Sequence, residues 1–215
     1  MAESAPNADT AWTLLPTPEV ATLLAGTDVR WWLSAESAYD QWHGSPLQER
    51  ENATVSTIAA SVEQLITDLP DGLSAWIVDD STVTAWADAP DASVPSVRVY
   101  DPERAAWVLQ INIEDGTADR WVYRRDPRLQ LPWDRAVTEI DGIPTGAPEV
   151  QLVWKTLRPK PEDEVDKDAV LPKLSEEARA FWETAVLRIH PHSTWAIHVR
   201  TPLTPAKASW NRTRR

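Results

Sequence analysis

Apolar residues recur at two different spacings along this chain, and the two spacings predict strands in one part and helices in another. Residues 107–113 (WVLQINI) alternate between apolar and polar side chains, which is the period of a half-buried strand. Residues 175–190 place apolar side chains three and four positions apart, and Ser175 is suited to cap the start of a helix. The pattern predicts the fold class α+β, with a mixed β-sheet, flanking helices and a C-terminal helical part.

The same signals predict shorter elements along the rest of the chain. Helices are predicted at residues 18–25, 36–43, 62–69 and 149–157. Strands are predicted at residues 29–34, 54–60, 73–78, 82–87, 97–100, 120–125 and 138–143. The expected organisation is a flexible leader at 1–16, an α/β core at 17–145, a helical subdomain at 146–200 and a basic tail at 201–215. The acidic run at 162–168 is expected to be a solvated face.

Composition narrows the classes of partner. The chain has 215 residues and a net charge of −12, which repels nucleic-acid phosphates and anionic membrane surfaces. It has no cysteine, so disulfides and thiolate chemistry are excluded. The N-terminus lacks a basic start and an apolar stretch, and no apolar run is long enough to span a membrane. We therefore expect a cytoplasmic protein without nucleic-acid or membrane partners.

Tryptophan is the unusual component, with 13 residues against three tyrosines and one phenylalanine. Large flat side chains bury much area in a core, and they also line pockets for apolar ligands. Core packing is the simpler interpretation for most of them. The candidates for pocket walls are Trp31, Trp32, Trp42, Trp107 and Trp154.

Five blocks of sequence, in order, resemble one bacterial family. The first block contains Trp31, Trp32, Ala38, Asp40 and Gly44. DRWVYRRDPR at 119–128, DGIPTGAPEVQLVWK at 141–155, RPKPEDEVDKD at 158–168 and the pair His190-Pro191 follow. Together they resemble the aminoglycoside 2''-adenylyltransferase-like nucleotidyltransferases. The resemblance implies a nucleotidyltransferase-like fold over most of the chain.

The turn after the first strand departs from the family pattern. In the family, glycines at this turn let the backbone approach a nucleotide triphosphate, whereas this chain has Ala35 and Glu36. A carboxylate about 4 Å from a phosphate charge is repelled by about 4 kcal/mol at an effective dielectric of 20. The substitution predicts weak nucleotide binding.

The metal-binding carboxylates of the family are also replaced. The D-x-D pair that would hold magnesium corresponds to Asn52 and Thr54, and the third carboxylate corresponds to Gln110 or Asn112. Magnesium is a hard cation that prefers carboxylate oxygen. The acidic residues at 114–115 are expected to lie at a turn and face water. No metal and no cofactor are therefore predicted.

The candidate site combines the former catalytic segments. Glu36, Asp40 and His43 are the candidate catalytic residues, of which Glu36 is the leading one. Polar ligand-binding candidates are Arg50, Asn52, Thr54, Gln110, Asn112 and Lys155. Five of these candidates have a simpler alternative. Glu36 is then an ordinary first-turn helix residue, Asp40 a helix-to-loop hydrogen-bond acceptor and His43 a helix end. Arg50 is then part of a surface ion pair, and Lys155 is paired with Glu36, Glu149 or Glu162. The histidines at 190, 192 and 198 are too weakly patterned to predict a metal site.

Three functions remain open from the sequence. The leading hypothesis is a degenerate nucleotidyltransferase-fold protein that binds, and in one version transforms, an apolar small molecule without nucleotide or metal, in bacterial secondary metabolism. The second is an active adenylyltransferase using displaced carboxylates such as Glu49, Glu51 or Glu36. The third is a non-enzymatic scaffold that binds a protein partner.

Overall fold

The computed structural model describes residues 5–91 and 93–200, with only the backbone of His198. The helices are α1 (Thr17–Leu23), α2 (Ala35–His43), α3 (Val62–Thr67), α4 (Trp133–Ala136), α5 (Pro148–Thr156), α6 (Pro161–Val170), α7 (Glu176–Ile189) and α8 (Thr194–Arg200). The strands are β1 (Trp31–Leu33), β2 (Ala53–Ile58), β3 (Ser74–Asp79), β4 (Thr82–Ala85), β5 (Ser96–Asp101), β6 (Ala106–Gly116), β7 (Arg120–Val122), β8 (Gln130–Pro132), β9 (Val137–Ile140) and β10 (Ile143–Gly146). Short 3-10 turns occupy Trp86–Asp88 and Leu171–Lys173.

The strands form one mixed sheet in the order β4-β3-β5-β6-β2-β1-β10-β9, with β7 and β8 attached to the end of β6. At its centre β2 runs parallel to β6, and Thr54 is in register with Gln110. On the other side β2 is antiparallel to β1. This mixed sheet with flanking helices is the predicted α+β class.

Two apolar clusters hold the sheet to its helices. One lies between the sheet and the helices α1 and α3, where Val20, Val55, Leu65 and Ile111 are buried. The other joins β1 and α2 to the C-terminal helices through large aromatic side chains: Trp32, Tyr39, Trp121, Tyr123, Trp182 and Trp195. The helical part therefore shares a core with the sheet. The predicted boundary near residue 146 stays a prediction, and the predicted tail at 201–215 lies outside the described residues.

No helix in the described part of the chain is both long and apolar enough to cross a membrane.

The region predicted as a single strand at 138–143 is a hairpin of β9 and β10. Asp141 and Gly142 form its turn, with φ angles of 52° and 77°. An Asp-Gly pair favours this left-handed turn, and two short strands pair on either side of it. The single-strand prediction failed because this turn signal was placed inside a strand.

The segment predicted as a loose leader is attached to the sheet. The Thr13 amide donates to the Trp107 carbonyl at 2.8 Å, and the Trp107 amide donates to the Ala11 carbonyl at 2.9 Å. Leu15 is buried in the core. The apolar residues Trp12, Leu14 and Leu15 were the missed signal, and the pairing of this segment with β6 gives it a fixed position.

The acidic run at 162–168 is not simply a solvated face. It forms most of α6, with Asp163, Asp166 and Lys167 buried. Buried carboxylates need charged or hydrogen-bonding partners, and both aspartates have cationic partners described below. The run therefore contributes to the interior beside the candidate site.

Candidate functional site

A cavity of about 640 Å³ opens over the centre of the sheet, where β2 and β6 meet the turn between β1 and α2. Helix α5 and the segment after β7 form its sides. Its lining residues are Ala35, Glu36, Asn52, Thr54, Pro95, Gln110, Asn112, Ile113, Glu114, Arg124, Arg125, Gln151, Trp154, Lys155 and Lys160. Seven of the predicted site residues lie here together, drawn from four separate parts of the chain: Glu36, Asn52, Thr54, Gln110, Asn112, Trp154 and Lys155.

The floor of the cavity consists of neutral polar side chains. Asn52 and Thr54 are two positions apart near the start of β2, and the Asn52 Nδ2 donates to Thr54 Oγ1 at 3.0 Å. Gln110 and Asn112 are two positions apart on β6, and the Gln110 Nε2 donates to Asn112 Oδ1 at 2.9 Å. Because side chains two apart share one face of a strand, the two pairs form a continuous polar floor. These four side chains are neutral, and the next residue on the same face of β6 is Glu114, a buried carboxyl described below.

The turn before α2 keeps a glycine-like shape without a glycine. Ala35 has a φ of 49°, in the left-handed region where a side chain costs about 1 to 2 kcal/mol. Its amide donates to Gln151 Oε1 at 2.8 Å. A Cβ at Gly146 would lie 2.3 Å from Gln151 Nε2, so a larger residue there would displace the glutamine side chain. The hydrogen bond gives Ala35 a fixed place at the edge of the cavity.

Glu36 forms an ion pair with Lys155, which also lies 3.0 Å from Asp163 Oδ1. Burial opposes ionisation of Glu36, yet the Lys155 ammonium and its hydrogen bond lower the pKa of the Glu36 carboxyl. Burial likewise opposes the charge on Lys155, and Glu36 and Asp163 outweigh it and raise the Lys155 pKa. Glu36 is thus an ionised carboxylate rather than an acid near neutrality. Its charge is compensated, so the repulsion of a nucleotide expected from Glu36 is weaker than an isolated carboxylate would give.

Glu36→Gln should lower the free energy of unfolding at pH 7 by roughly 1 kcal/mol, since a neutral amide only partly replaces a charged hydrogen bond. A carboxyl with a lowered folded-state pKa stabilises the protein above its unfolded pKa of about 4.5. That contribution disappears as the pH falls through the folded-state pKa. Urea unfolding at several pH values should show the difference between wild type and Glu36→Gln shrinking below about pH 4.5. Glu63→Gln, an exposed first-turn glutamate of α3, is the control, and an unchanged difference at low pH would contradict the ion pair.

Glu114 is a lining residue that no sequence signal identified. It was expected to face water at a turn, but it lies within β6 and is only 3% exposed. Its Oε2 accepts hydrogen bonds from the indole nitrogens of Trp121 at 2.6 Å and Trp154 at 3.1 Å. Burial raises the pKa of this carboxyl, although these donors partly oppose the shift. Glu114 therefore favours its protonated form more than an ordinary glutamate does. It is buried because β6 extends to Gly116, beyond the strand predicted at residues 107–113.

Asp40 and Arg50 lie outside the cavity, in a buried ion cluster. Arg50 Nη2 contacts Asp40 Oδ1 and Asp166 Oδ1, each at 2.8 Å, and its side chain is 9% exposed. Asp40 also accepts from the Leu47 amide at 2.9 Å, the helix-to-loop bond weighed as its simpler alternative. Arg50 was considered for an ion pair with surface glutamates, but its partners are these two aspartates. The cluster joins α2 to α6.

Other predicted site residues also lie away from the cavity. Trp32 and Trp107 are fully buried core residues, Trp31 borders a separate surface hollow, and Trp42 packs on the second apolar cluster. His43 Nδ1 contacts Ser45 Oγ at 3.1 Å at the exposed end of α2. Of the five tryptophan candidates, only Trp154 lines the cavity. Adjacent positions on a strand or helix point in different directions, so the position of a tryptophan in a predicted element did not decide which way its ring faces.

The described residues contain no group of three or more histidine, aspartate or glutamate side chains placed to hold a metal ion. His190 instead contacts the Tyr123 hydroxyl at 2.9 Å through Nε2, and both side chains are buried. The side chain of His198 is outside the described part.

Comparison with known proteins supports the fold. No family model and no curated protein matches the chain. The lincomycin-bound structure of lincosamide antibiotic adenylyltransferase LnuA aligns with a TM-score of 0.50 at 18% identity, over 73% of this chain and 97% of LnuA. An antigenic nucleotidyltransferase-like protein from Paracoccidioides brasiliensis aligns with a TM-score of 0.39 at 12% identity, over 85% and 89% of the two chains. The likeness to LnuA shows a nucleotidyltransferase-like fold, as the sequence blocks predict, and shows nothing about activity.

Proposed function

We propose that this chain is a degenerate member of the aminoglycoside 2''-adenylyltransferase-like family that binds an apolar small molecule without nucleotide or divalent metal. The observation that carries the proposal is the floor of the cavity, where Asn52, Thr54, Gln110 and Asn112 are all neutral. Nucleotidyl transfer on this fold would need carboxylates there, because magnesium must bridge the phosphates and align the attacking group. Amide and hydroxyl groups hold this ion weakly.

The size and chemistry of the cavity support a small-molecule ligand. A volume of about 640 Å³ is within the usual range for ligand pockets. Trp154 supplies an apolar wall, and the amide side chains of the floor supply donors and acceptors that can orient a bound molecule. Transformation of the ligand, the further version of the proposal, would use Glu36 as an ionised base or electrostatic partner. The high use of Ala, Arg, Asp, Pro and Trp is typical of a high-GC bacterial genome, and a place in secondary metabolism is proposed by analogy with other reused enzyme folds.

The two alternatives receive less support. Glu49 and Glu51, the displaced carboxylates of an active adenylyltransferase, border a separate hollow with Trp12 and Leu14. Glu36 is the remaining one, and it is already paired with Lys155. A scaffold protein would be expected to fill its old pocket with side chains, whereas this cavity is open. A protein partner elsewhere on the surface stays a separate hypothesis.

Isothermal titration with ATP and Mg²⁺ tests the proposal directly. We expect no binding in the micromolar range, because both the metal ligands and the glycine turn are replaced. LnuA titrated with the same solutions serves as the comparison for an adenylyltransferase of this fold. Micromolar binding of ATP that requires Mg²⁺ would overturn the proposal and favour the adenylyltransferase alternative.

A further inference from the structure

A second hollow of about 330 Å³ adjoins the main cavity and shares four of its lining residues. The shared residues are Arg125, Trp154, Lys155 and Lys160, and the second hollow adds Leu157, Arg158 and Asp163. The Trp154 ring thus borders both spaces. A ligand with its body in the main cavity can extend along this ring into the second hollow.

The second hollow is strongly cationic in a chain whose net charge is −12. Four of its seven lining residues are cations and one is a carboxylate. Lys155 is compensated by Glu36 and Asp163. Within residues 5–91 and 93–200, no carboxylate lies within ion-pair distance of Arg125 or Arg158. The positive charge of the two arginines is therefore available to a ligand.

Lys160 adds to this surplus. Its Nζ lies 3.7 Å from Glu162 Oε1, and both side chains are mostly exposed, so the pair contributes about 0 to 1 kcal/mol and separates easily. Elsewhere in the chain, exposed arginines such as Arg128 and Arg135 have carboxylate partners at 2.7 Å. Solvated, unpaired cations are common on protein surfaces. Arg125, Arg158 and Lys160, by contrast, all line one hollow that adjoins a ligand-sized cavity. Cations scattered at random over the surface would not be expected to gather at one such place.

We propose that Arg125, Arg158 and Lys160 bind an anionic oxygen group, a carboxylate or a phosphate, on a ligand whose apolar body lies in the main cavity against Trp154. The inference deepens the proposed function, on which it rests, by naming the chemical class of the ligand. A guanidinium presents paired N–H donors that match the two oxygens of a carboxylate or phosphate. The apolar body accounts for Trp154, and the anionic end accounts for the cations.

Matched probes test the inference by isothermal titration at low ionic strength. We expect 2-naphthoate or 2-naphthyl phosphate to bind at least about tenfold more tightly than 2-naphthamide, which has the same apolar body without charge. Raising the salt concentration should reduce this preference. The two anionic probes distinguish a carboxylate from a phosphate end. In the double variant Arg125→Ala/Arg158→Ala the preference should disappear.

Arg104→Ala is the matched control, since Arg104 is an exposed arginine at a distant hollow, paired with Glu19. It should keep the preference for the anionic probes. Equal affinity for charged and neutral probes would overturn the inference and leave the metal-free proposal standing. Retention of the preference in the double variant, or no binding of either anionic probe, would also overturn it. Mg²⁺-dependent ATP binding is the separate outcome that refutes the proposed function.

Discussion

Arg50→Ala should lower the free energy of unfolding by about 3 to 5 kcal/mol, because it removes one partner of a buried ion cluster. Asp166, whose side chain is 2% exposed, would keep its carboxylate in the interior, and among the described residues only Gln48 would still donate a side-chain hydrogen bond to it. For a chain of this size, the melting temperature should fall by roughly 6 to 20 °C. Urea unfolding and calorimetry of the variant measure both quantities.

Two comparisons show whether the uncompensated charge causes the loss. Arg104→Ala removes an exposed arginine, 43% accessible, and should cost no more than about 1 kcal/mol. Adding Asp166→Asn to Arg50→Ala should recover part of the lost stability, since the amide carries no charge. If Arg50→Ala and Arg104→Ala were equally stable, the cluster would have no structural importance.

The triple variant Asn52→Asp/Thr54→Asp/Gln110→Asp should acquire a divalent-metal site and make stability depend on Mg²⁺. Thr54 and Gln110 are in register on adjacent parallel strands, and Asn52 shares the face of Thr54. Three carboxylates so close repel one another, so the metal-free variant should be less stable than wild type. Mg²⁺ at about one hundred times its dissociation constant should add about 2.7 kcal/mol.

Thermal unfolding with and without Mg²⁺ measures this effect, and Ca²⁺ and EDTA complete the series. The matched control places the same three charges on exposed positions away from the cavity, for example Thr82→Asp, Gln130→Asp and Thr194→Asp. The control should show no specific response to Mg²⁺. A triple variant whose stability did not change with Mg²⁺ would contradict the expectation that carboxylates at these three positions are enough to create a metal site.

The floor of the cavity could be predicted from the sequence, because both the two-residue period of a strand and the blocks that resemble the family are visible in short stretches of sequence. Gln110 and Asn112 are two positions apart on a predicted strand, so their shared face follows from the pleat. Asn52 lies just before the strand predicted at 54–60, and its place beside Thr54 followed from the family resemblance. Pairing of β2 with β6 then follows from the nucleotidyltransferase-like fold. The position of Lys155 beside the cavity followed from the block at 141–155 that resembles the family. Its ion pair with Glu36 was one of the three pairings considered for it.

Other parts of the site depend on contacts between distant segments, which local patterns do not specify. Arg50 is 116 positions from Asp166, so nothing in their surrounding sequence identifies the pair. Glu114 was placed at a turn because an acidic pair beside a glycine usually marks one, whereas tryptophan donors from β7 and α5 keep it buried in a longer strand. Buried tryptophans were equally ambiguous, because composition does not say which face of an element each one occupies.

The attachment of the N-terminal segment to Trp107 bears on how recombinant versions of this protein should be designed. A shortened product beginning after residue 16 would lose Trp12, Leu15 and both backbone hydrogen bonds to Trp107. An indole ring and an unsatisfied strand edge would then be accessible to a neighbouring molecule. Trimming what looks like a dispensable tail would thus favour self-association during expression, and affinity tags are better joined ahead of the segment than substituted for it.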